Sequence, residues 1–213
     1  MKKIGVLRFP GTNCDRDVFQ FVKARNHWPE FLWHQDQFTL NDYQALIIPG
    51  GFSYGDYLCS GALAARSPVM KSVIEFAKKG RPLLGICNGF QILCESGLLP
   101  GALVKNQHQR FIDKWVSLRV EKRNNYFGAQ LPEDLRLPIA HGDGRFYAPE
   151  KELAEIEEQG LVWLRYSQGE NPNGSLLDIA GVTNQQKNVV GLMPHPERAI
   201  FDWMGGSDGW GFL

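Results

Sequence analysis

The stretch Pro82 to Leu99, PLLGICNGFQILCESGLL, carries an apolar run straight into Gly85-Ile86-Cys87-Asn88-Gly89 and out into a second apolar run. Pro82 to Ile86 is short and almost wholly apolar, the pattern of a strand buried on both faces. A helix follows from Asn88, with Cys94 on its apolar side. A glycine-flanked cysteine between such a strand and such a helix has the geometry of a nucleophile elbow. Small neighbours permit a tight, strained turn that pushes the middle side chain out. The helix beginning at Asn88 directs its N-terminal dipole and free N–H groups at the sulfur, which favours the thiolate. Alone, the G-x-C-x-G pattern leaves Cys87 evenly placed between a presented nucleophile and a small core residue, because cysteine is commonly just buried.

Outward from this stretch, strands and helices alternate. Lys3 to Arg8 (KIGVLR) reads as a strand, and Asn13 or Asp15 can cap a helix carrying Val18, Phe21 and Val22 on one face. Ala45 to Pro49 (ALIIP) is an apolar run stopped by Pro49-Gly50-Gly51, a buried strand entering a loop. Pro68 to Lys79 places Val69, Val73, Phe76 and Ala77 at helical spacing, with Pro68 near the start and Gly80 as the stop. This alternation predicts an α/β fold with a mostly parallel central sheet flanked by helices on both faces. Beyond Gly101, Trp115 to Val120, Leu137 to Ala140, Leu161 to Tyr166, Leu176 to Val182 and Val189 to Met193 read as strands. One acidic helix, Pro149 to Gln159, interrupts them. The second half is expected to extend the sheet with partly antiparallel strands. No repeat, low-complexity tract or linker divides the 213 residues, so a single domain over 1–213 is expected.

The 23 basic and 23 acidic side chains cancel, so no overall field favours nucleic acid or an anionic membrane. A small-molecule substrate or a protein partner is expected instead. Arg8 and Pro10 interrupt the N-terminal apolar residues before a signal-type region forms, and no run approaches membrane-spanning length. The four cysteines, Cys14, Cys59, Cys87 and Cys94, are scattered in a chain able to build its own core, so reduced thiols in a cytoplasm are expected. Asn173-Gly174-Ser175 matches a glycosylation pattern but reads better as a turn. There is no phosphate-binding glycine loop, no dinucleotide fingerprint and no close Cys/His cluster, so neither a cofactor nor a metal is expected on this chain.

A cysteine nucleophile needs a base and a group that orients the base, usually remote in sequence. Met193-Pro194-His195-Pro196-Glu197-Arg198 offers both. Pro196 biases His195 toward extended backbone, where residues two apart share a side, so Glu197 can hold the imidazole and leave its other nitrogen for Cys87. By itself the segment reads better as a surface histidine beside an acid; paired with the elbow, it becomes the better half of a catalytic site. His141, in a glycine-rich loop, ranks second, and His27, His34 and His108 have no acid at a useful local spacing. Attack on an acyl carbon also needs donors for an oxyanion. The Asn88 N–H is one, and Pro49-Gly50-Gly51 can bring a second backbone N–H close, unless it is a plain turn.

Gly85-Ile86-Cys87-Asn88-Gly89-Phe90-Gln91, together with Pro194-His195-Pro196-Glu197-Arg198, resembles the class I (triad-type) glutamine amidotransferases. Further stretches are similar to the branch of that family that serves purine biosynthesis. They are Phe9-Pro10-Gly11-Thr12-Asn13-Cys14-Asp15, Pro49-Gly50-Gly51-Phe52-Ser53-Tyr54-Gly55-Asp56-Tyr57, the His141 loop, Asn171-Pro172-Asn173-Gly174-Ser175 and Gly206-Ser207-Asp208-Gly209. The resemblance covers essentially the whole chain, with Thr12 standing where a serine is frequent.

The resemblance implies a flavodoxin-like amidotransferase domain that hydrolyses glutamine to glutamate and ammonia through a thioester. Cys87 would be the nucleophile, His195 the proton carrier and Glu197 its orienter. The Gly51 and Asn88 N–H groups would form the oxyanion hole. Gln91 would hold glutamine, and Gly144-Arg145-Phe146 would contact its amino-acid end. ATP, magnesium and formylglycinamide ribonucleotide would belong to a separate synthetase subunit, PurL, with a small third subunit, PurS. Two other readings stand beside this one: a different enzyme on the same elbow-bearing architecture, such as a cysteine peptidase, and a non-catalytic scaffold subunit.

Overall fold

The computed structural model describes all 213 residues. Its centre is built from runs that have no polar face to offer water. β1 (Lys3–Arg8) leads through α1 (Asp15–Ala24) to β2 (Trp28–Trp33), and β3 (Ala45–Ile48) leads through α2 (Val69–Lys78) to β4 (Leu83–Ile86). β3 and β4 are buried at every position, as central parallel strands must be. α3 (Asn88–Glu95) follows β4 after one residue, Cys87. The chain then forms β5 (Ala102–Val104), β6 (Ile112–Val120), β7 (Asp134–His141), β8 (Arg145–Tyr147), α4 (Glu150–Glu158), β9 (Val162–Tyr166), β10 (Ile179–Thr183) and β11 (Val189–Leu192).

Nine strands make one sheet in the order β2-β1-β3-β4-β11-β10-β9-β6-β7, and β5 pairs with β8 apart from it. Neighbours from β2 to β11 are parallel and those from β11 to β7 antiparallel, so only β10 and β6 run against the other seven. Right-handed crossovers from β1 leftward to β2 and from β3 rightward to β4 place α1 and α2 on opposite faces. α1 buries Val18, Phe21 and Val22 against the sheet, and α2 buries Val69, Val73, Phe76 and Ala77.

Several details depart from the sequence expectations. α1 is capped by Cys14 with no side-chain cap bond. Asn13 instead accepts from the Cys14 thiol, and Asp15 pairs with Arg8 at 2.6 Å. β2 has no apolar alternation because it is a sheet edge with both tryptophans exposed. β6 and β7 outrun their apolar cores, since mutual pairing from Ile112↔His141 to Arg119↔Asp134 also orders charged positions. Leu176 to Val182 is not one strand: Leu176–Asp178 turns, with Leu177 at φ +50°, before β10 begins. Asn173-Gly174-Ser175 is a buried turn held by Asn171 Oδ1, which accepts from all three backbone N–H groups.

Of the four aromatic side chains in the C-terminal stretch Phe201 to Leu213, only Phe212 is buried. Phe212 is buried against Trp163 at 5.5 Å between ring centroids, and Arg25 Nε donates to the Leu213 carbonyl. Trp203 nevertheless stays exposed. No helix is long and apolar enough to cross a membrane.

Candidate active site

Strand register decides what meets at the carboxyl edge of the sheet. β4 pairs with β3 through Gly85↔Ile48 and with β11 through Ile86↔Leu192. The three chains therefore leave the sheet side by side, into Pro49-Gly50-Gly51, Cys87 and Met193-Pro194-His195. Crevices outside the carboxyl ends of such strands are where α/β sheets bind ligands. The Cys87 N–H still donates to Leu192 O at 2.8 Å, so the elbow is tied to the strand that delivers His195. The curled antiparallel half reaches the same edge, where the His195 N–H donates to Pro138 O at 2.8 Å.

Cys87 has φ +51° and ψ −106°, a conformation that side chains rarely adopt. Surrounding structure holds it there, because its carbonyl accepts from the Phe90 and Gln91 N–H groups. Gly89 is required for close approach: a Cβ there would lie 2.0 Å from the Ile48 carbonyl oxygen. The helix can therefore start directly against β3. Cys87 is buried yet lines a cavity of ≈ 110 Å³, and its thiol lies 3.8 Å from Ala140 O.

His195 and Glu197 are both buried, and the imidazole Nδ1–H donates to Glu197 Oε1 at 2.6 Å. The pair does not form by extended-chain alternation. His195 is extended, at φ −108° and ψ 88°, but Pro196–Arg198 is a 3-10 turn that folds Glu197 back under the ring. Burial opposes charge on His195, but the Glu197 carboxylate and Cys87 outweigh it and hold the imidazolium well above the ordinary histidine range. The imidazole Nε2 has no hydrogen-bond partner in the protein. Cys14 Sγ lies within 4.8 Å of a ring nitrogen and of the Glu197 carboxylate, and Cys87 Cβ and the ring edge both border Gly50, where a Cβ would lie 3.4 Å from the one and 2.8 Å from the other.

Gly51 lines the same cavity at φ +147°, and neither its N–H nor that of Asn88 donates to a backbone acceptor. Two free donors thus flank the sulfur. Gln91 also lines the cavity with its amide fixed at both ends: Nε2 donates to Asp143 O at 2.6 Å, and Oε1 accepts from Asn88 Nδ2 at 2.7 Å. Gly144, Arg145 and Phe146 follow the lining residue Asp143 without lining the cavity themselves. The Gly144 N–H donates to Asn106, Arg145 Nε to Gly174 O, and Phe146 stacks on Phe90, so none of the three lines the cavity. His141 has an amide partner, Asn106, where a base would have an acid. Burial and the charge of His195 push its pKa down to about 4, so it stays neutral.

Residues to which the sequence patterns give no individual role complete the site. Cys14 Sγ accepts from Arg198 Nη2 at 3.1 Å, and its donor atom lies within 4.8 Å of those of His195 and Glu197. That trio is the one place where metal-type donors converge. Cys14 already carries the Arg198 guanidinium, and His195 Nδ1 and Glu197 Oε1 are spent on each other, so the set does not suit a metal. Asp56, Ser60 and Asp143 line the cavity, with Ser60 Oγ donating to Asp143 Oδ2 at 2.8 Å. They come from two loops, and both carboxylates fall within stretches that carry the family resemblance, Asp56 in Pro49 to Tyr57 and Asp143 in the His141 loop.

An elbow-borne cysteine beside an acid-paired histidine, at the carboxyl edge of an α/β sheet, is the layout of the triad-type amidotransferases. Residues 1–207 match the CobB/CobQ-like glutamine amidotransferase domain. The chain is 56% identical over 210 residues to the phosphoribosylformylglycinamidine synthase subunit PurQ of Nostoc sp., covering 97% of this chain and 93% of that one. It is 50% identical over 217 residues to the same subunit of Aquifex aeolicus, covering 97% and 95%. It superposes on a chain of the structure of PurLQS from Thermotoga maritima with TM-score 0.87 and 43% identity, covering 99% of this chain and 95% of that one. The chain belongs to the PurQ family of glutamine amidotransferases.

Proposed function

We propose that the chain is the glutaminase subunit of phosphoribosylformylglycinamidine synthase. It hydrolyses L-glutamine to glutamate and ammonia, and the ammonia passes to PurL, which converts formylglycinamide ribonucleotide to the formylglycinamidine. The observation that carries this reading is the convergence of Cys87 and the His195–Glu197 pair around Gly50 at the carboxyl edge of the sheet.

Cys87 Sγ attacks the carboxamide carbon, and the negative charge that develops on oxygen falls between the Gly51 and Asn88 N–H groups, each worth about 3 kcal/mol in such a hole. His195 gives a proton to the departing ammonia, which leaves a γ-glutamyl thioester on Cys87. Water, giving up a proton to His195, then attacks the thioester, and glutamate leaves as the thiol is restored. Glu197 keeps Nδ1 protonated throughout, so Nε2 faces the reacting atoms.

We assign ATP and magnesium to the PurL partner, with PurS as the small third subunit, and the whole to the cytoplasm as one amidotransferase domain, 1–213. Ammonia is protonated in water near neutral pH, so direct transfer between docked subunits conserves the nucleophile. Turnover is accordingly expected to be weak in the isolated chain and to rise on docking. The test is glutamate release by wild type and Cys87→Ala, alone and with PurL, PurS and their ligands. Release by the alanine variant at the wild-type rate overturns the nucleophile assignment.

A further inference from the structure

The cavity in front of Cys87 is lined by two carboxylates, Asp56 and Asp143, and by His141, with no lysine or arginine among its lining residues. The His141 ring is buried, and its Nδ1–H donates to Asn106 Oδ1 at 3.1 Å. The Asn106 amide nitrogen is committed to the Arg110 and His141 carbonyls, which fixes Oδ1 as the acceptor. His141 Nε2 is therefore left with a lone pair and no partner in the protein. Donors near the carboxylates are few. Ser60 Oγ reaches Asp143 Oδ2 at 2.8 Å, whereas the Asn88 amide nitrogen lies 3.5 Å from Asp56 Oδ1. The lining thus holds an excess of acceptors over donors, beside a nucleophile. A primary ammonium, with three N–H donors and a positive charge, has the complementary chemistry.

Glutamine carries one such group, three carbons from the carboxamide that Cys87 attacks. We propose that Asp56, with Asp143 beside it, binds the α-ammonium of glutamine and makes the site select a free amino acid over other primary amides. This assignment rests on the glutaminase reading above. The loop that presents Asp56 is held in an unusual shape, with Tyr54 at φ +54°, Gly55 at φ +68° and Asp56 at φ +54°. The Tyr54 hydroxyl pins it to His34 Nδ1 at 2.8 Å and Ser67 Oγ at 2.9 Å. Burial, then the nearby Asp143 charge, pushes the Asp56 pKa up to about 6, and a bound cation relieves that repulsion.

The test compares ammonia release from L-glutamine and from 4-carbamoylbutanoate, which is glutamine without its amino group, using the chain assembled with PurL and PurS. Asp56→Asn is expected to lower kcat/KM for glutamine by about 10-fold or more, mainly through KM, because the ammonium loses a charge-assisted hydrogen bond to a half-buried carboxylate. The analogue, which has no ammonium to lose, is expected to suffer less than glutamine, so the ratio of the two kcat/KM values narrows in the variant. Asp143→Asn should narrow the discrimination as well. Circular dichroism and the rate of Cys87 alkylation by iodoacetamide establish that each variant is folded with an intact elbow. If Asp56→Asn fails that check, the Asp143→Asn ratio decides. A folded variant that keeps the wild-type preference for glutamine overturns the proposal alone. No ammonia from glutamine in the wild-type complex overturns the glutaminase reading, and this proposal with it.

Discussion

Gly50 stands where the two sulfurs and the imidazole converge, and Gly50→Ala is the most direct test of the geometry. A Cβ at this position would lie 2.8 Å from His195 Cε1, 3.1 Å from Cys14 Sγ and 3.4 Å from Cys87 Cβ. The backbone at Gly50 is not in the left-handed region, so the added methyl acts by contact and not by strain. Ordinary carbon–carbon separation requires the ring to withdraw by about 0.7 Å. It cannot withdraw freely: its Nδ1–H is held by Glu197 at 2.6 Å and its backbone N–H by Pro138 O at 2.8 Å. Cys14 is no softer, since Arg198 holds its sulfur at 3.1 Å. A misplacement of this size at the reacting group is expected to lower kcat/KM by about 10- to 100-fold. Overpacking should lower stability by about 1–3 kcal/mol, which leaves a folded protein to assay. Glutamate release in the assembled complex reads the first quantity and chemical denaturation the second. Turnover within twofold of wild type would mean that His195 and Cys87 do not depend on each other's placement.

Glu197→Gln removes the charge that keeps the imidazole in its working tautomer, and glutamate release should fall by on the order of 10³- to 10⁴-fold, with thermal unfolding moved far less. The raised imidazolium pKa has a stability consequence. His195 binds its proton more tightly folded than unfolded, so its contribution is complete below the ordinary imidazole range and is lost as pH rises through the folded value. The denaturation midpoint of wild type should therefore fall from neutral to alkaline pH more steeply than that of Glu197→Gln, and parallel curves would refute the assignment. Iodoacetamide should modify Cys87 and the exposed Cys59 while sparing Cys14 and Cys94, whose thiols burial pushes up. Peptide mass spectrometry that finds Cys94 alkylated before Cys87 would contradict this. With Asp56 ionising near pH 6, the KM for glutamine should rise as pH drops below that value, and a flat KM from pH 7 to 5 would exclude Asp56 from binding.

What was legible in the sequence follows a physical divide. Central strands such as Ala45–Ile48 and Val189–Leu192 announce themselves because burial on both faces permits only apolar residues. Edge strand β2 and the short pair β5 and β8 carry no such constraint, and their backbone pairing comes from neighbours far along the chain. The site divides in the same way. Cys87 was marked by its flanking glycines and His195 by its neighbouring acid, both local signals. Asp56 and Asp143 are brought to one cavity by loops far apart in sequence, and only the folded chain places them together. Gly144, Arg145 and Phe146 illustrate the converse. They sit close to Asp143 in sequence, yet Arg145 turns to Gly174 O and Phe146 packs inward on Phe90.

The chemistry also depends on residues that touch no substrate. Gly191 lies in β11 against Phe90 of α3, where a Cβ would come within 2.2 Å of the ring. Its register partner is Gly85, the first glycine of the elbow. Sliding β11 by one residue against β4 would replace Gly191 at this contact with Val190 or Leu192, whose side chains the ring leaves no room for. The same slip would carry His195 about 3.3 Å along the strand direction and away from Cys87. One glycine facing one aromatic ring thus locks the register that the bond from the Cys87 N–H to Leu192 O then exploits. Glycine positions at this edge serve two ends: Gly89 and Gly191 let the elements approach closely, and Gly50 and Gly51 leave space and a free donor around the sulfur. The core of this fold and its catalytic geometry are set by the same contacts.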